Sequence, residues 1–268
     1  MQSSENIKIN IKDKLAVITL CDPSKKNAIN GAMYKGITKA LETISEDDDV
    51  SITVITGTGD YYCSGTNLKD GLGQSLGEMD GALVALSDTL KQVIINYRRF
   101  ISAFITHKKI LVAVVNGPAI GIAVTTLALC DIVYCVDTAT FQTPFTRLGM
   151  VAEGCSSYTF PRIMGAAKAN EMLLFNKKIT AKEAYEVGLV SHVYTKDEMD
   201  NIVWPDLKKN AMELPLNSLK YSKQMIRKFD EACLHEANRQ ECERLEERWK
   251  SEDCMNAIMS FMTQRSKM

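Results

Sequence analysis

The chain has 268 residues, 46% of them hydrophobic, and its 32 basic and 33 acidic residues leave a net charge of -1. We therefore expect a folded, soluble protein with a sizeable core, and the balanced charge argues against nucleic acid as a partner. The sequence has no apolar run of about 20 residues, and its eight cysteines form no CxxC pair, which argues against a membrane partner, a structural metal and a disulfide framework.

The first 60 residues alternate between strand and helix patterns. Residues 7–12 and 15–20 predict two strands and residues 50–57 a third, because apolar or β-branched residues recur through each run. Between them, apolar residues at helical spacing predict a helix over 30–45. The acidic run 46–49 is typical of a solvated turn, and we assign it no function.

A glycine-bearing loop, Y-Y-C-S-G-T-N-L (61–68), follows the third strand. Because glycine has no Cβ, such a loop can bring peptide N–H groups close to a ligand. The next segment, G-L-G-Q-S-L-G-E-M-D-G (71–81), lacks the G-x-G-x-x-G spacing, so we reject a dinucleotide site there. A long helix with one apolar face is predicted over 83–106.

A second unit of strand, glycine loop and helix follows. It consists of the strand 110–115, the loop N-G-P-A-I-G-I-A (116–123) and a helical run through Ala128. Two peptide N–H groups that converge from such loops would hold a developing oxyanion. A further strand over 131–136 and a short apolar segment around Phe141 complete the strand-rich part of the sequence.

From Glu153 onward the pattern is mostly helical. Turn residues separate the predicted helical segments, which are 154–164, 166–175, 180–187 and 217–262. This order predicts an α/β fold, with an α/β core over 1–200 and a helical C-terminal region over 201–268. The charged end of the chain predicts a surface helix and a packing helix, or alternatively a surface that docks onto a neighbouring subunit.

Glu153 is the candidate acid–base residue. It is the only carboxylate between Asp137 and Glu171, and its neighbours are small or apolar. Burial of this kind raises the pKa of a carboxyl group, which suits proton abstraction next to a carbonyl. The alternative is a helix N-cap, because the following residues predict a helix. A Ser-His-Asp hydrolase is not expected, because G-C-S-S-Y (154–158) fails the G-x-S-x-G motif.

The succession C-S-G-T-N-L, V-N-G-P-A-I-G-I-A, C-D-I-V-Y and A-T-F-Q-T-P-F-T-R-L-G resembles the crotonase (enoyl-CoA hydratase/isomerase) superfamily. The resemblance covers nearly the whole chain. Residues 140–164 and the ending R-W-K-S-E-D-C-M-N-A-I-M-S-F are most similar to the peroxisomal Δ3,Δ2-enoyl-CoA isomerases. The resemblance implies a crotonase-type spiral of strand-strand-helix units, closed by C-terminal helices and assembled as a homotrimer or a dimer of trimers.

The resemblance also implies an oxyanion hole made by the peptide N–H groups of Thr66 and Ile122, with the thioester oxygen of an acyl-CoA substrate between them. Further implied substrate contacts come from Ser64, Gly65, Asn67, Leu68, Gly121 and Phe145. No metal and no separate cofactor is implied, because coenzyme A is part of the substrate.

Hydratases of this family flank the substrate with two glutamates, and the matching positions here are Thr125 and Phe145. Neither side chain exchanges a proton usefully, so hydration is not expected. The isomerases use one carboxylate, at the position of Glu153. The implied reaction converts a cis- or trans-3-enoyl-CoA to the trans-2-enoyl-CoA in the β-oxidation of unsaturated fatty acids. Relatives often have S-P where this chain has V-A (151–152), which leaves substrate preference open.

Two other functions remain open at this point. One is a different crotonase reaction, either hydration or dienoyl-CoA isomerisation. The other is a non-catalytic CoA-binding module, similar to the crotonase domain of chromodomain-Y-like proteins. The ending Ser266-Lys267-Met268 differs by one residue from the serine-lysine-leucine peroxisomal address, so we expect a peroxisomal protein, with mitochondria as the alternative.

Overall fold

The computed structural model describes residues 6–68 and 83–265 of the chain. The strands in these ranges are β1 (Ile7–Lys12), β2 (Leu15–Leu20), β3 (Ile52–Gly57), β4 (Ile110–Val115), β5 (Ala119–Ile120), β6 (Ile132–Val136), β7 (Thr140–Gln142), β8 (Ile179–Thr180) and β9 (His192–Tyr194). The helices are α1 (Gly31–Ser45), α2 (Leu83–Ile105), α3 (Ile122–Thr125), α4 (Ser156–Leu173), α5 (Ala181–Glu186), α6 (Lys196–Glu198), α7 (Trp204–Glu213), α8 (Leu216–Arg227), α9 (Glu231–Trp249) and α10 (Glu252–Arg265).

The main sheet has six strands in the order β1-β2-β3-β4-β6-β9. β1 and β2 form an antiparallel pair, and each of the other neighbouring pairs is parallel. In the middle of the sheet Val54 of β3 lies opposite Val112 of β4, and both strands are almost completely buried. Parallel strands of this kind need cover on both faces, which explains their continuous apolar sequences. The sheet and the helices after it confirm the predicted α/β fold class.

Helix α1 begins where the sequence pattern indicates. The side chain of Asn30 accepts a hydrogen bond from the N–H of Met33 over 2.9 Å and so caps the helix. Its buried apolar face is formed by Met33, Ile37, Leu41 and Ile44. This face joins the core, and α1 also packs against the long helix α2.

A second, three-stranded sheet was not predicted as such. It has the order β5-β7-β8, and the sequence indicated only the segment around Phe141, which is in β7. β5 and β8 have two residues each, too few to show an alternating pattern. The N–H of Gly121 donates to the carbonyl of Gln142 over 2.8 Å, so this sheet anchors the second glycine loop.

The predicted helices of the C-terminal half need one correction. Segments 154–164 and 166–175 correspond to α4, and the predicted break between them is present at Gly165, where φ is +75° and the backbone is not helical. The run 217–262 is divided into α8, α9 and α10, because short turns interrupt it. The glycine-rich segment 71–81 and the ending 266–268 lie outside the described residues.

Helix α9 packs along α2 and thereby reaches the middle of the molecule. The side-chain amide of Asn238 on α9 donates to the carbonyl of Arg98 over 3.0 Å and lies 3.2 Å from the hydroxyl of Ser102, both on α2. This contact fixes α9 against α2. None of the helices in residues 6–68 and 83–265 is both long and apolar enough to cross a membrane.

Candidate active site

The two glycine loops leave neighbouring parallel strands and are hydrogen-bonded to each other. The N–H of Cys63 donates to the carbonyl of Pro118 over 3.3 Å, and the N–H of Ile120 donates to the carbonyl of Cys63 over 3.0 Å. The loops follow β3 and β4, whose carboxyl ends meet at one edge of the sheet. Ligands of α/β proteins bind at this edge, so the pairing of the loops defines a candidate site.

Each loop contains a glycine with a left-handed backbone. φ is +87° at Gly65 and +62° at Gly121, and a Cβ at Gly65 would lie only 2.8 Å from the carbonyl oxygen of Ile120. A side chain at residue 65 would therefore push the two loops apart. Among the described residues, the N–H groups of Thr66 and Ile122 donate no hydrogen bond, so both are open to a ligand.

The side chain of Thr66 is tied to helix α1. Its Oγ1 lies 2.7 Å from the hydroxyl of Tyr34, at hydrogen-bonding distance. The backbone next to it is also fixed, because Ile29 donates to the carbonyl of Gly65 over 2.8 Å and accepts from the N–H of Asn67 over 2.9 Å. The orientation of the Thr66 peptide is therefore set by neighbours on both sides.

Glu153 is buried, with 6% of its surface exposed, and the chain turns sharply after it. Gly154 and Cys155 both have a left-handed backbone, with φ of +68° and +63°. A Cβ at Gly154 would overlap the hydroxyl of Thr125 and lie 3.1 Å from Cδ1 of Ile122. The Glu153 loop is therefore held against α3, the helix that begins at Ile122, and the carboxylate shares one site with the glycine loops.

The interpretation of Glu153 as a helix cap is wrong. The N-cap of α4 is Cys155, and Glu153 contributes only its carbonyl, which accepts from the hydroxyl of Ser156 over 2.7 Å. The carboxylate at this helix end belongs to Glu241, which accepts from the N–H groups of Cys155 over 2.6 Å and Ser157 over 2.9 Å. The Glu153 carboxylate is thus left for another role.

The pKa of Glu153 is raised from 4.5 to about 8. Burial is the largest cause, the negative charge of Glu241 adds to it, and the hydroxyl of Tyr97 lowers the pKa in part. A carboxyl group with such a pKa holds its proton at neutral pH for much of the time. Its ionised form is a stronger base than an exposed glutamate, which suits a group that takes up and returns a proton.

Tyr97 lies beside Glu153. The residue is 5% exposed, and its hydroxyl is close enough to the Glu153 carboxyl group to lower its pKa, although it forms no hydrogen bond of good geometry among the described residues. Its ring lies 6.0 Å from the ring of Tyr34, measured between centroids. The two phenols, from α1 and α2, therefore lie on the same side of the site.

The positions that match the hydratase glutamates carry no acid. Thr125 is fully buried, and its hydroxyl donates to the carbonyl of Ile122 over 3.3 Å. Phe145 is 3% exposed, and its ring carbon Cε1 lies 3.9 Å from the position of a Cβ at Gly121. Neither side chain can activate water, so Glu153 is the acidic residue that remains at this cluster among the described residues.

The remaining predicted contact residues belong to the first glycine loop. The N–H of Ser64 donates to the carbonyl of Lys26 over 2.9 Å, and the half-buried side chain of Leu68 packs against the core. Asn67 is half-buried. These residues lie next to the open N–H of Thr66, which brings the predicted loop residues together on one side of the site.

A charged cluster lies elsewhere, beside a cleft of about 360 Å³. Asp131 accepts from the N–H of Leu111 over 2.8 Å and pairs with Lys223 over 2.7 Å and Arg227 over 2.9 Å. Through these contacts Asp131 ties α8 to the start of β4. Within the described residues no group of three or more histidine, cysteine, aspartate or glutamate side chains could hold a metal.

The sequence identified neither Glu241 nor Tyr97 as a residue of the site. Glu241, on α9, raises the pKa of Glu153, and Tyr97, on α2, lowers it. A signal for Glu241 exists in its spacing, because it follows Leu234 by seven residues and precedes Leu245 by four, on the buried face of α9. A glutamate on an apolar helix stripe indicates a buried, partnered carboxylate.

The chain is similar to known proteins over its whole length. The sequence profile described as enoyl-CoA hydratase/isomerase matches residues 10–267, and the chain belongs to this family. "Enoyl-CoA delta isomerase 2" of Rattus norvegicus is 48% identical over 267 residues, which are 100% of this chain and 66% of the rat protein. "Enoyl-CoA delta isomerase 3, peroxisomal" of Mus musculus is 44% identical, over 99% of this chain and 81% of the mouse protein. The chain thus spans about two thirds of the rat relative.

A solved structure has the same fold. The enoyl-CoA hydratase/isomerase from Pseudoalteromonas atlantica superposes with a TM-score of 0.85 at 27% identity, over 97% of this chain and 98% of that one. The crotonase fold predicted from the two glycine loops is therefore confirmed.

Proposed function

We propose that this chain is an enoyl-CoA isomerase that moves a cis or trans C3 double bond of an acyl-CoA thioester to the trans C2 position. The observation that carries the proposal is one buried carboxyl group, Glu153, with a pKa of about 8 beside two open peptide N–H groups. The names of the rat and mouse relatives support the same class of reaction.

Glu153 acts as the only base. Its carboxylate removes a proton from C2, the electron pair of that C–H bond enters the conjugated system, and the thioester oxygen becomes the oxyanion of a dienolate. The carboxyl group then donates the same proton to C4, and the electrons return to form the C2 double bond. No atom or electron is gained or lost, so no metal or separate cofactor takes part in the proposal.

The peptide N–H groups of Thr66 and Ile122 hold the oxyanion. Both donate to no other group within the described residues, and each follows a glycine with positive φ, where a side chain would be strained. A fixed donor of this kind contributes on the order of 3 kcal/mol to the transition state. Ser64, Asn67 and Leu68 would lie along the acyl or pantetheine path.

A second acid is missing from the cluster, and this favours isomerisation over hydration. Hydration needs one group to activate water and another to protonate carbon, whereas Thr125 donates to a carbonyl and Phe145 is apolar. Dienoyl-CoA isomerisation would require a proton to be removed and returned at carbons farther apart than one carboxyl group can reach.

We propose that the chain assembles as a homotrimer or a dimer of trimers. Large apolar side chains exposed on and just after α8 support this proposal, among them Tyr221, Met225, Ile226 and Phe229. We also propose a peroxisomal protein in which the ending 266–268 is the address, with mitochondria as the alternative. The mouse relative named peroxisomal supports this location.

A substrate panel tests the function. The purified chain is incubated with cis- and trans-3-enoyl-CoA, with a 2-enoyl-CoA for hydration and with a dienoyl-CoA, and products are separated by chromatography. We expect turnover of the 3-enoyl thioesters to the trans-2 product and none of the others. Hydration would support the other crotonase reaction. CoA binding without turnover on any thioester would support a non-catalytic module.

A further inference from the structure

We infer that Glu241, on the C-terminal helix α9, is a positioning residue for Glu153: it fixes the backbone that carries Glu153 and keeps a negative charge beside it. The contacts that carry this inference are the three hydrogen bonds that Glu241 accepts from the segment after Glu153. The inference rests on the proposed isomerase function, because Glu153 is the base in that reaction.

The geometry forms a small anion-binding turn. Gly154 and Cys155, both left-handed, direct peptide N–H groups toward one point. Glu241 occupies that point and accepts from the N–H of Cys155 over 2.6 Å, the N–H of Ser157 over 2.9 Å and the hydroxyl of Ser157 over 2.5 Å. The N-cap of α4 has no side-chain hydrogen bond of its own, so α9 supplies the missing cap.

Hydrogen-bond donors stabilise the ionised form of Glu241 at this position. Glu241 is 6% exposed, and burial raises its pKa above the ordinary value, while the hydrogen bonds from Ser157 and Cys155 offset part of that rise. All three contacts donate to the carboxylate, and the amino end of a helix carries a partial positive charge that favours an anion. Within the described ranges these dipoles compensate the ion and no cation pairs with it, and its charge raises the pKa of Glu153.

The other titratable groups around Glu153 carry no charge at neutral pH. Tyr34 comes from α1, Tyr97 from α2 and Cys242 from α9, and burial raises the pKa of each, to about 12 for the thiol. Among the described residues, Glu241 is thus the charged neighbour that acts on the carboxyl group of Glu153. Its charge disfavours ionisation of Glu153 and makes the ionised form a stronger base.

Glu241→Gln tests whether the negative charge of residue 241 acts on Glu153, and Glu241→Asp tests whether its hydrogen bonds hold the loop after Glu153. The glutamine keeps an oxygen acceptor without the charge, and the aspartate keeps the charge on a shorter side chain. Glu243→Gln is the matched control, because Glu243 is exposed on the same helix and pairs with Arg239. The readouts are kcat/KM for a 3-enoyl-CoA against pH and the infrared titration of the Glu153 carboxyl band, assigned by its loss in Glu153→Gln.

We expect the acidic limb of kcat/KM and the infrared titration to move to lower pH in Glu241→Gln and to stay in place in Glu243→Gln. In Glu241→Asp the titration stays near that of the wild type, but kcat falls more than KM rises, because the loop is held less firmly. If Glu241→Gln does not fold, Glu241→Asp still tests the positioning role. A kcat equal to that of the wild type in Glu241→Asp would overturn that role.

The inference is overturned if Glu241→Gln and Glu243→Gln titrate alike, because Glu241 would then be a helix cap and nothing more. The infrared titration needs no turnover. Absence of turnover on 3-enoyl-CoA by the wild type therefore counts against the proposed function, whereas an unshifted carboxyl band in Glu241→Gln counts against Glu241.

Discussion

Gly154 packs so closely against Thr125 that a Cβ at residue 154 would overlap the threonine hydroxyl. This contact joins the loop that carries Glu153 to the helix that begins at Ile122. The proposed base, Glu153, and one of the two proposed oxyanion donors are therefore positioned by the same packing contact, and a change at this contact should alter the chemistry as well as the stability.

Gly154→Ala should impair turnover more than Gly165→Ala. Both glycines have positive φ, +68° and +75°, so an alanine costs about 1–3 kcal/mol of backbone strain at either site. Only Gly154 also meets neighbours, whereas nothing lies within 4 Å of a Cβ at Gly165. Urea unfolding and kcat/KM on a 3-enoyl-CoA check this expectation. Equal loss of turnover in both variants would show that the contact with Thr125 does not affect catalysis.

Gly65→Ala should reduce kcat by about 10²–10³-fold, the effect of losing one oxyanion donor. Its Cβ would lie 2.8 Å from the carbonyl oxygen of Ile120, so the loop must shift and the N–H of Thr66 moves with it. Thr66→Ser is the control, because it keeps both the peptide and a hydroxyl for Tyr34. Steady-state kinetics distinguish the two. A serine variant as slow as the alanine variant would assign the effect to the side chain.

Activity should rise with pH until Glu153 is ionised. Its pKa is about 8, and only the carboxylate removes a proton, so kcat/KM should increase through neutral pH and level off above that value. Tyr97→Phe removes the hydroxyl that lowers this pKa, and its acidic limb should move to higher pH. The pH profiles of the two proteins test this. A profile unchanged by Tyr97→Phe would mean that the phenol does not act on Glu153.

Glu153 should make the protein less stable as pH rises. Its pKa is about 8 when folded and near 4.5 when unfolded, so the folded state binds more protons between these values and stability is lost across that window. Glu153→Gln lacks this titrating group and should be the more stable protein at pH 8–9, by up to about 5 kcal/mol. Urea unfolding at pH 5 and pH 9 measures the difference. A constant difference between the two proteins would place the pKa near its ordinary value.

Local sequence signals predicted the elements that hold the candidate site. Glycine after a buried strand marked both loops, and the isolation of Glu153 among apolar residues marked the buried acid. These signals are local, because a turn or a buried strand is specified within a few residues. The roles of Thr66 and Ile122, and the boundary at residue 200 between core and C-terminal region, stay predictions.

The partners of Glu153 could not be predicted in the same way. Glu241 lies on α9, in a charged run of sequence, and its burial depends on how α9 packs against α2 and α4. The hydroxyl of Tyr97, on α2, acts on Glu153, which lies in the loop before α4, and neither segment's sequence specifies that the two meet. The strands β5 and β8 are two residues long, and their pairing with β7 comes from tertiary packing.

The turnover of a 3-enoyl-CoA by Glu153→Gln tests the single-base proposal most directly, with binding of a non-isomerisable acyl-CoA measured alongside. Glutamine fills the same volume and cannot take up the C2 proton. We expect kcat to fall by about 10²–10⁴-fold while acyl-CoA binding is retained, because the glycine loops are unchanged. Turnover close to that of the wild type would contradict the assignment of Glu153 as the base.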